Sequence, residues 1–215
     1  VISYLDAGNS NYGTAIVATI DSSDNSVSYG SPVVFNSAST NQGKITFDSS
    51  NNKVVIAYNN GGDSGHGYAI VGTVSGTSIS FGSAAEFENA VISDPAITFD
   101  SSNNKVVIAY RDEGNSNYGT AVVGAVSDTS VSFGTPVVYN SGTTNYQAST
   151  FDSNSNKVVI LYQDGGNSER YTAIVGTVDN SDNSISFGSE VAISSGGARS
   201  QSNQNIAFDS NSNKV

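Results

Sequence analysis

The chain has 215 residues, 37% of them hydrophobic, and a formal charge of −11 from 8 Lys and Arg against 19 Asp and Glu. That balance disfavours nucleic acid and anionic membrane surfaces, which reward clustered Lys and Arg, and no run approaches the roughly 20 apolar residues of a membrane span. Cysteine is absent, which excludes disulfides and thiolate chemistry, and the first residues carry no signal-peptide pattern.

Taken in chain order, the first apolar run is ISYLD (2–6), followed by the polar loop D-A-G-N-S-N-Y-G (6–13). A second run surrounds Ile16–Thr19, a third is S-V-S-Y-G (26–30) leading into P-V-V (32–34), and I-T-F-D (45–48) closes the series. Val, Ile, Tyr, Phe and Thr fill these runs, while Gly, Asn, Asp and Ser separate them. This is strand chemistry with turn punctuation, with no 3.6-residue period. The whole series then recurs. Tyr4, Tyr58, Tyr110 and Tyr162 stand 54, 52 and 52 residues apart, and the units span about 1–53, 54–105, 106–157 and 158–215.

Repetition at this period predicts an array of small sheets within a single domain, 1–215. The runs VVIAY and TAIVGTV are apolar at successive positions, so both faces of those strands must be covered. The expected fold is therefore all-β: a β-propeller of four blades, each of four antiparallel strands. The termini are in register. Phe and Tyr flank each D-S-x-x-N-K turn 11 positions apart, and Phe208–Val215 followed by Val1–Tyr4 reproduces that spacing. The inner strand around Asn205–Asp209 is accordingly expected to pair with the N-terminal strand, residues 1–6 completing the last blade. Such a closed ring is a monomer. A piece of a longer parent array, or exchange of blades between chains, accounts for the same register.

The turn Ser22-Ser23-Asp24-Asn25-Ser26-Val27-Ser28-Tyr29 resembles the Asp-box of sialidase-type propellers, S-x-D-x-G-x-T-W. NSDNSISF (180–187) is a weaker match, Val126–Phe133 keeps Asp128, and the second copy has no acid at this position. In that family the motif is a folding device remote from the active site. The family's catalysis needs an arginine triad, a Tyr nucleophile with its Glu, and an acidic general acid/base. Arg111, Arg170 and Arg199 are the only arginines and stand at unmatched positions, so the activity does not carry over. The tandem Ser/Asn/Gly-rich units also resemble surface repeat proteins of marine bacteria and phages.

Two loop sets emerge at one end of the expected blades. The first reads D-A-G-N-S-N-Y-G, N-G-G-D-S-G-H-G, D-E-G-N-S-N-Y-G and D-G-G-N-S-E-R-Y. Clustered carboxylate and amide oxygens suit calcium, with Asp6, Asp63, Asp112 and Asp164 as candidate ligands, although a self-satisfied Gly-Asn turn explains the same residues. No other cofactor is expected. The second set, at 36–43, 88–95, 140–147 and 194–205, differs most between copies, and variation on a repeated frame marks a contact surface. Asn145, Tyr146, Gln147 and Arg199 from this set, with Tyr12, Tyr118 and Tyr171 nearby, suit sugars through amide hydrogen bonds and ring stacking. His66 is the single histidine, and neither a nucleophile elbow nor a phosphate loop occurs. The sequence therefore reads as a non-enzymatic binding or display module for glycan or protein, extracellular or on a cell or virion surface. The alternative is a structural repeat of a larger extracellular or virion-attached fibre. A degenerate sialidase-like hydrolase is disfavoured by the missing arginine triad.

Overall fold

A computed structural model describes residues 1–193 and 204–215. The first repeat contributes β1 (Ile2–Asp6), β2 (Tyr12–Ile16), β3 (Ala18–Asp21) and β4 (Ser26–Tyr29). A long strand, β5 (Val33–Asp48), leads to β6 (Lys53–Asn60), β7 (His66–Ser75) and β8 (Ser78–Phe81). The pattern continues with β9 (Ala85–Asp100), β10 (Lys105–Asp112), β11 (Tyr118–Ser127) and β12 (Ser130–Phe133). It ends with β13 (Val137–Asp152), β14 (Lys157–Asp164), β15 (Arg170–Asp179), β16 (Ser184–Phe187) and β17 (Val191–Ala192).

The all-β class is as expected, but the four-bladed propeller is not what forms. The strands join into one 15-stranded antiparallel sheet, running β1-β2-β5-β6-β7-β9-β10-β11-β13-β14-β15-β16 along its main path, with β3–β4 as a separate pair. The reason lies in the segments 36–43, 88–95 and 140–147, expected as loops between blades. Each lies inside a 16-residue strand, β5, β9 or β13. The first half of β5 pairs with β2 of its own repeat, and the second half pairs with β6 of the next. Hydrogen bonding thus carries over from repeat to repeat, so separate blades do not exist.

Among the described residues the sheet does not close. β1 pairs with β2 alone among the strands, and residues 204–208 form no strand beside it. Among the described residues of the C-terminal segment, the only ladder contact is the bridge Asp209–Lys214. It repeats the register of Asp48–Lys53, Asp100–Lys105 and Asp152–Lys157. The hairpin turn forms, but it does not join the two ends of the sheet.

Burial follows the successive apolar runs. Val54–Tyr58 and Val106–Tyr110 are buried at every position. Alternation sends Val106, Ile108 and Tyr110 into the core shared with Val55, Ala57 and Val71 of the second repeat. Val107 and Ala109 point the other way, against Val158, Ile160 and Tyr162 of the fourth. Each buried Val or Ile contributes about 1.5–3 kcal/mol, so these central strands supply much of the stability. Aromatic triplets stitch the repeats further. Phe87 packs 5.2 Å from Tyr110 and 5.6 Å from Phe133, and Tyr139 does the same with Tyr162 and Phe187.

The D-S-x-x-N-K turns behave as their chemistry predicts. Asp48 accepts the backbone N–H groups of Ser50 and Asn51 at 3.0 Å, and Asp100 does the same for Ser102 and Asn103. Asn52, Asn104, Asn156 and Asn213 adopt the left-handed conformation that Asn tolerates.

Candidate functional site

The two halves of each 16-residue strand meet at a bulge. The register slips between Asn41 and Lys44, at Ser93–Ala96, and between Asn145 and Ala148. Gln42, Asp94 and Tyr146 occupy the same place in three repeats, each with φ of 50–54°. Such a bulge bends the strand and re-aims its side chains. Here it brings the three together. Asp94 accepts from the Gln42 side-chain amide at 3.2 Å and from the Tyr146 backbone N–H at 3.0 Å, and its own N–H donates to Gln42 Oε1 at 2.6 Å.

Two adjoining cavities open beside these bulges. One, of about 290 Å³, is lined by Gln42, Lys44, Asp94, Pro95, Tyr146, Gln147, Gln204 and Asn205. The other, of about 420 Å³, shares Lys44, Gln147, Gln204 and Asn205, and its walls add Ile45, Ala96, Ile97, Ala148, Ser149 and Ile206. All four repeats therefore contribute to one central space, joined by Val1, Ile2 and Ser3. Its chemistry is mixed: apolar walls, one cation, one carboxylate, and several amides and hydroxyls. Both polar atoms of the Gln204 carboxamide, and the Ser149 hydroxyl, are closed off from solvent with no hydrogen-bond partner among the described residues. A buried amide without a partner costs about 1–3 kcal/mol, so these groups favour an occupant that can both donate and accept.

Of the residues nominated from sequence, Tyr146 and Gln147 line this space. The Gln147 amide nitrogen donates to the Asp94 carbonyl at 2.8 Å, and its oxygen accepts from the Arg111 N–H at 3.2 Å, which fixes the bulge. Asn145 is occupied differently, accepting from Arg111 Nη1 at 2.6 Å. Arg111 also donates to Glu113 at 2.6 Å; hydrogen bonds from Ser93 and Arg111 hold the Glu113 carboxyl below its usual range. Tyr12 and Tyr118 begin β2 and β11, Tyr171 lies in β15, and none of the three lines the central space. Arg199 lies outside the described residues.

The four candidate calcium ligands sit on four separate loops, each a single-turn 3₁₀ helix ending in a left-handed Ser. Asp6, Asp112 and Asp164 cap their own turns, accepting from the backbone N–H of Gly8, Asn115 and Gly166 at 2.9–3.0 Å. Burial pushes the Asp112 carboxyl above its ordinary range. Asn60 takes the capping place in the second repeat. Asp63 instead accepts the Tyr68 hydroxyl at 2.6 Å, a bond that, with burial, pushes the phenol up to about 12. It also stands near His66 and Glu86.

Gln42, Lys44, Asp94, Ser149 and Gln204 were not singled out by the sequence reading. Gln42, Asp94 and Gln204 lie within the variable segments 36–43, 88–95 and 194–205, but nothing in the sequence distinguishes them from their neighbours there. No family model matches the chain, and no curated protein or solved structure shows significant similarity to it.

Proposed function

We propose that the chain is a non-enzymatic binding module whose central space takes a neutral, hydroxyl-rich ligand of the carbohydrate class. The Gln204 carboxamide carries this reading: it has no partner among the described residues, and a sugar hydroxyl met by a turn of its side chain into the space both donates and accepts and so satisfies each of its atoms. Lys44 and Asp94 both line the space with opposite charges, which favours a neutral ligand over an ionic one. The apolar walls, Ile45, Ala96, Ile97 and Ile206, suit the C–H face of a pyranose. Polar groups few in number and placed among apolar ones are the usual make-up of a small-molecule site.

A glycan array read with and without EDTA tests this. The chain should retain a subset of neutral glycans in both conditions, and Gln204→Leu should weaken retention by about tenfold, the loss expected for one or two hydrogen bonds. Retention of no glycan, or equal retention by the Gln204→Leu chain, contradicts the reading. The second reading, a structural repeat of a larger fibre, is favoured by one observation: among the described residues β1 pairs on one side only.

A further inference from the structure

The second repeat departs from its neighbours at four related positions. Asp63 stands where the others have Asn9, Asn115 and Asn167, and His66 where they have Tyr12, Tyr118 and Arg170. Tyr68 replaces a threonine found in the other three, and its strand partner Glu86 replaces Val34 and Val138. Independent drift would scatter such changes over the surface. Instead they meet. His66 Nδ1 lies 2.9 Å from Glu86 Oε1 and 3.7 Å from Asp63 Oδ2, and one ligand atom from each of the three falls within 4.8 Å of the others.

We propose that Asp63, His66 and Glu86 form a site for a divalent first-row transition metal of the zinc class. Zinc takes His nitrogen and carboxylate oxygen at about 2.0–2.2 Å, which sets neighbouring tetrahedral ligands about 3.4 Å apart. The observed spacing needs only side-chain adjustment to reach that value, and all three residues retain access to solvent, so water completes the coordination. The Tyr68 hydroxyl, 2.6 Å from Asp63 Oδ2, orients that carboxylate as an outer-shell hydrogen bond does around bound metals. An imidazole ligand selects zinc, nickel or copper over calcium and magnesium, which prefer all-oxygen shells. The site is separate from the central space, since none of the three lines it.

Titration calorimetry of the full, tag-free chain with zinc chloride tests the assignment, with cobalt absorption as the spectroscopic probe. One metal should bind per chain, and cobalt should show the visible bands of a nitrogen–oxygen site. Asp63→Asn, His66→Tyr and Glu86→Val each restore a residue that neighbouring repeats carry, so the fold should persist by circular dichroism. Each should weaken zinc binding by about tenfold or more. Glu86→Gln keeps an acceptor for His66 but loses the anionic ligand, and should weaken zinc to a similar degree. Absence of stoichiometric zinc binding, or reverted chains that bind zinc as tightly as the parent, overturns the proposal.

Discussion

Glu88 carries a charge that its surroundings oppose. It accepts the hydroxyl of fully buried Tyr110 at 2.8 Å, yet burial still lifts its carboxyl above the ordinary 4.5. Burial raises the Tyr110 phenol as well, which keeps it a donor. A raised carboxyl favours the protonated folded state, so its stabilising contribution is complete below the unfolded value and is lost as pH rises through the folded one. Glu88→Gln preserves the acceptor and removes the charge. It should raise stability at pH 7 by less than about 1 kcal/mol, since water reaches and screens the carboxylate, and the gain should shrink towards nothing at pH 4. Urea titrations at the two pH values measure this; an equal gain at both would rule out the charge as the cause. The turn carboxylates act with the opposite sign. Hydrogen bonds from turn Ser and backbone groups hold Asp21, Asp24, Asp152, Asp179 and Asp209 below the ordinary 3.8. Their contribution is present above that value and lost as pH falls through the folded one.

Between elements, a glycine at the end of each short strand records where one repeat meets the next. A Cβ on Gly30, Gly82 or Gly134 would lie 1.8–2.1 Å from the carbonyl oxygen of Thr77, Thr129 or Asn183 in the following repeat. At Gly188 the nearest neighbour is a carbonyl of its own repeat, 3.8 Å away. Gly82→Ala should therefore cost more than about 2 kcal/mol by forcing two backbones apart, while Gly188→Ala should change stability by less than about 0.5 kcal/mol. Equal losses, read as denaturation midpoints, would mean that a neighbour packs on Gly188 too. The strands, the covered faces of VVIAY and the Asp-capped turns were legible because each is written in local residue chemistry. The continuity of β5, β9 and β13 was not. N-S-A-S-T-N-Q-G reads as a loop by composition, yet Asn36 finds Thr40 and Asn60 as side-chain partners, and the extended backbone runs on. At the site, Tyr146 and Gln147 were legible as variable polar residues, but the convergence of Gln42 and Asp94 upon them depends on bulge geometry that no spacing encodes.

The whole molecule is an open array of repeats that turn their bulges toward one shared space, and among the described residues β1 pairs with β2 alone. Ile2, Tyr4 and Leu5 on that strand are 37–46% exposed. Exposed edges of this kind add strands from other chains. Light scattering should show mass rising with concentration, and Leu5→Lys should suppress the rise; one unchanging mass would mean the edge is covered. The array also gathers one bulge or strand segment per repeat around a shared polar space, and the proposed function rests on that gathering. An amide NMR titration with the best-retained neutral glycan tests it most directly. Shifts should concentrate at 42–45, 94–97, 146–149 and 204–206, segments far apart in the chain. Shifts confined to one loop, or spread over the outer faces of the sheet, would contradict a central site.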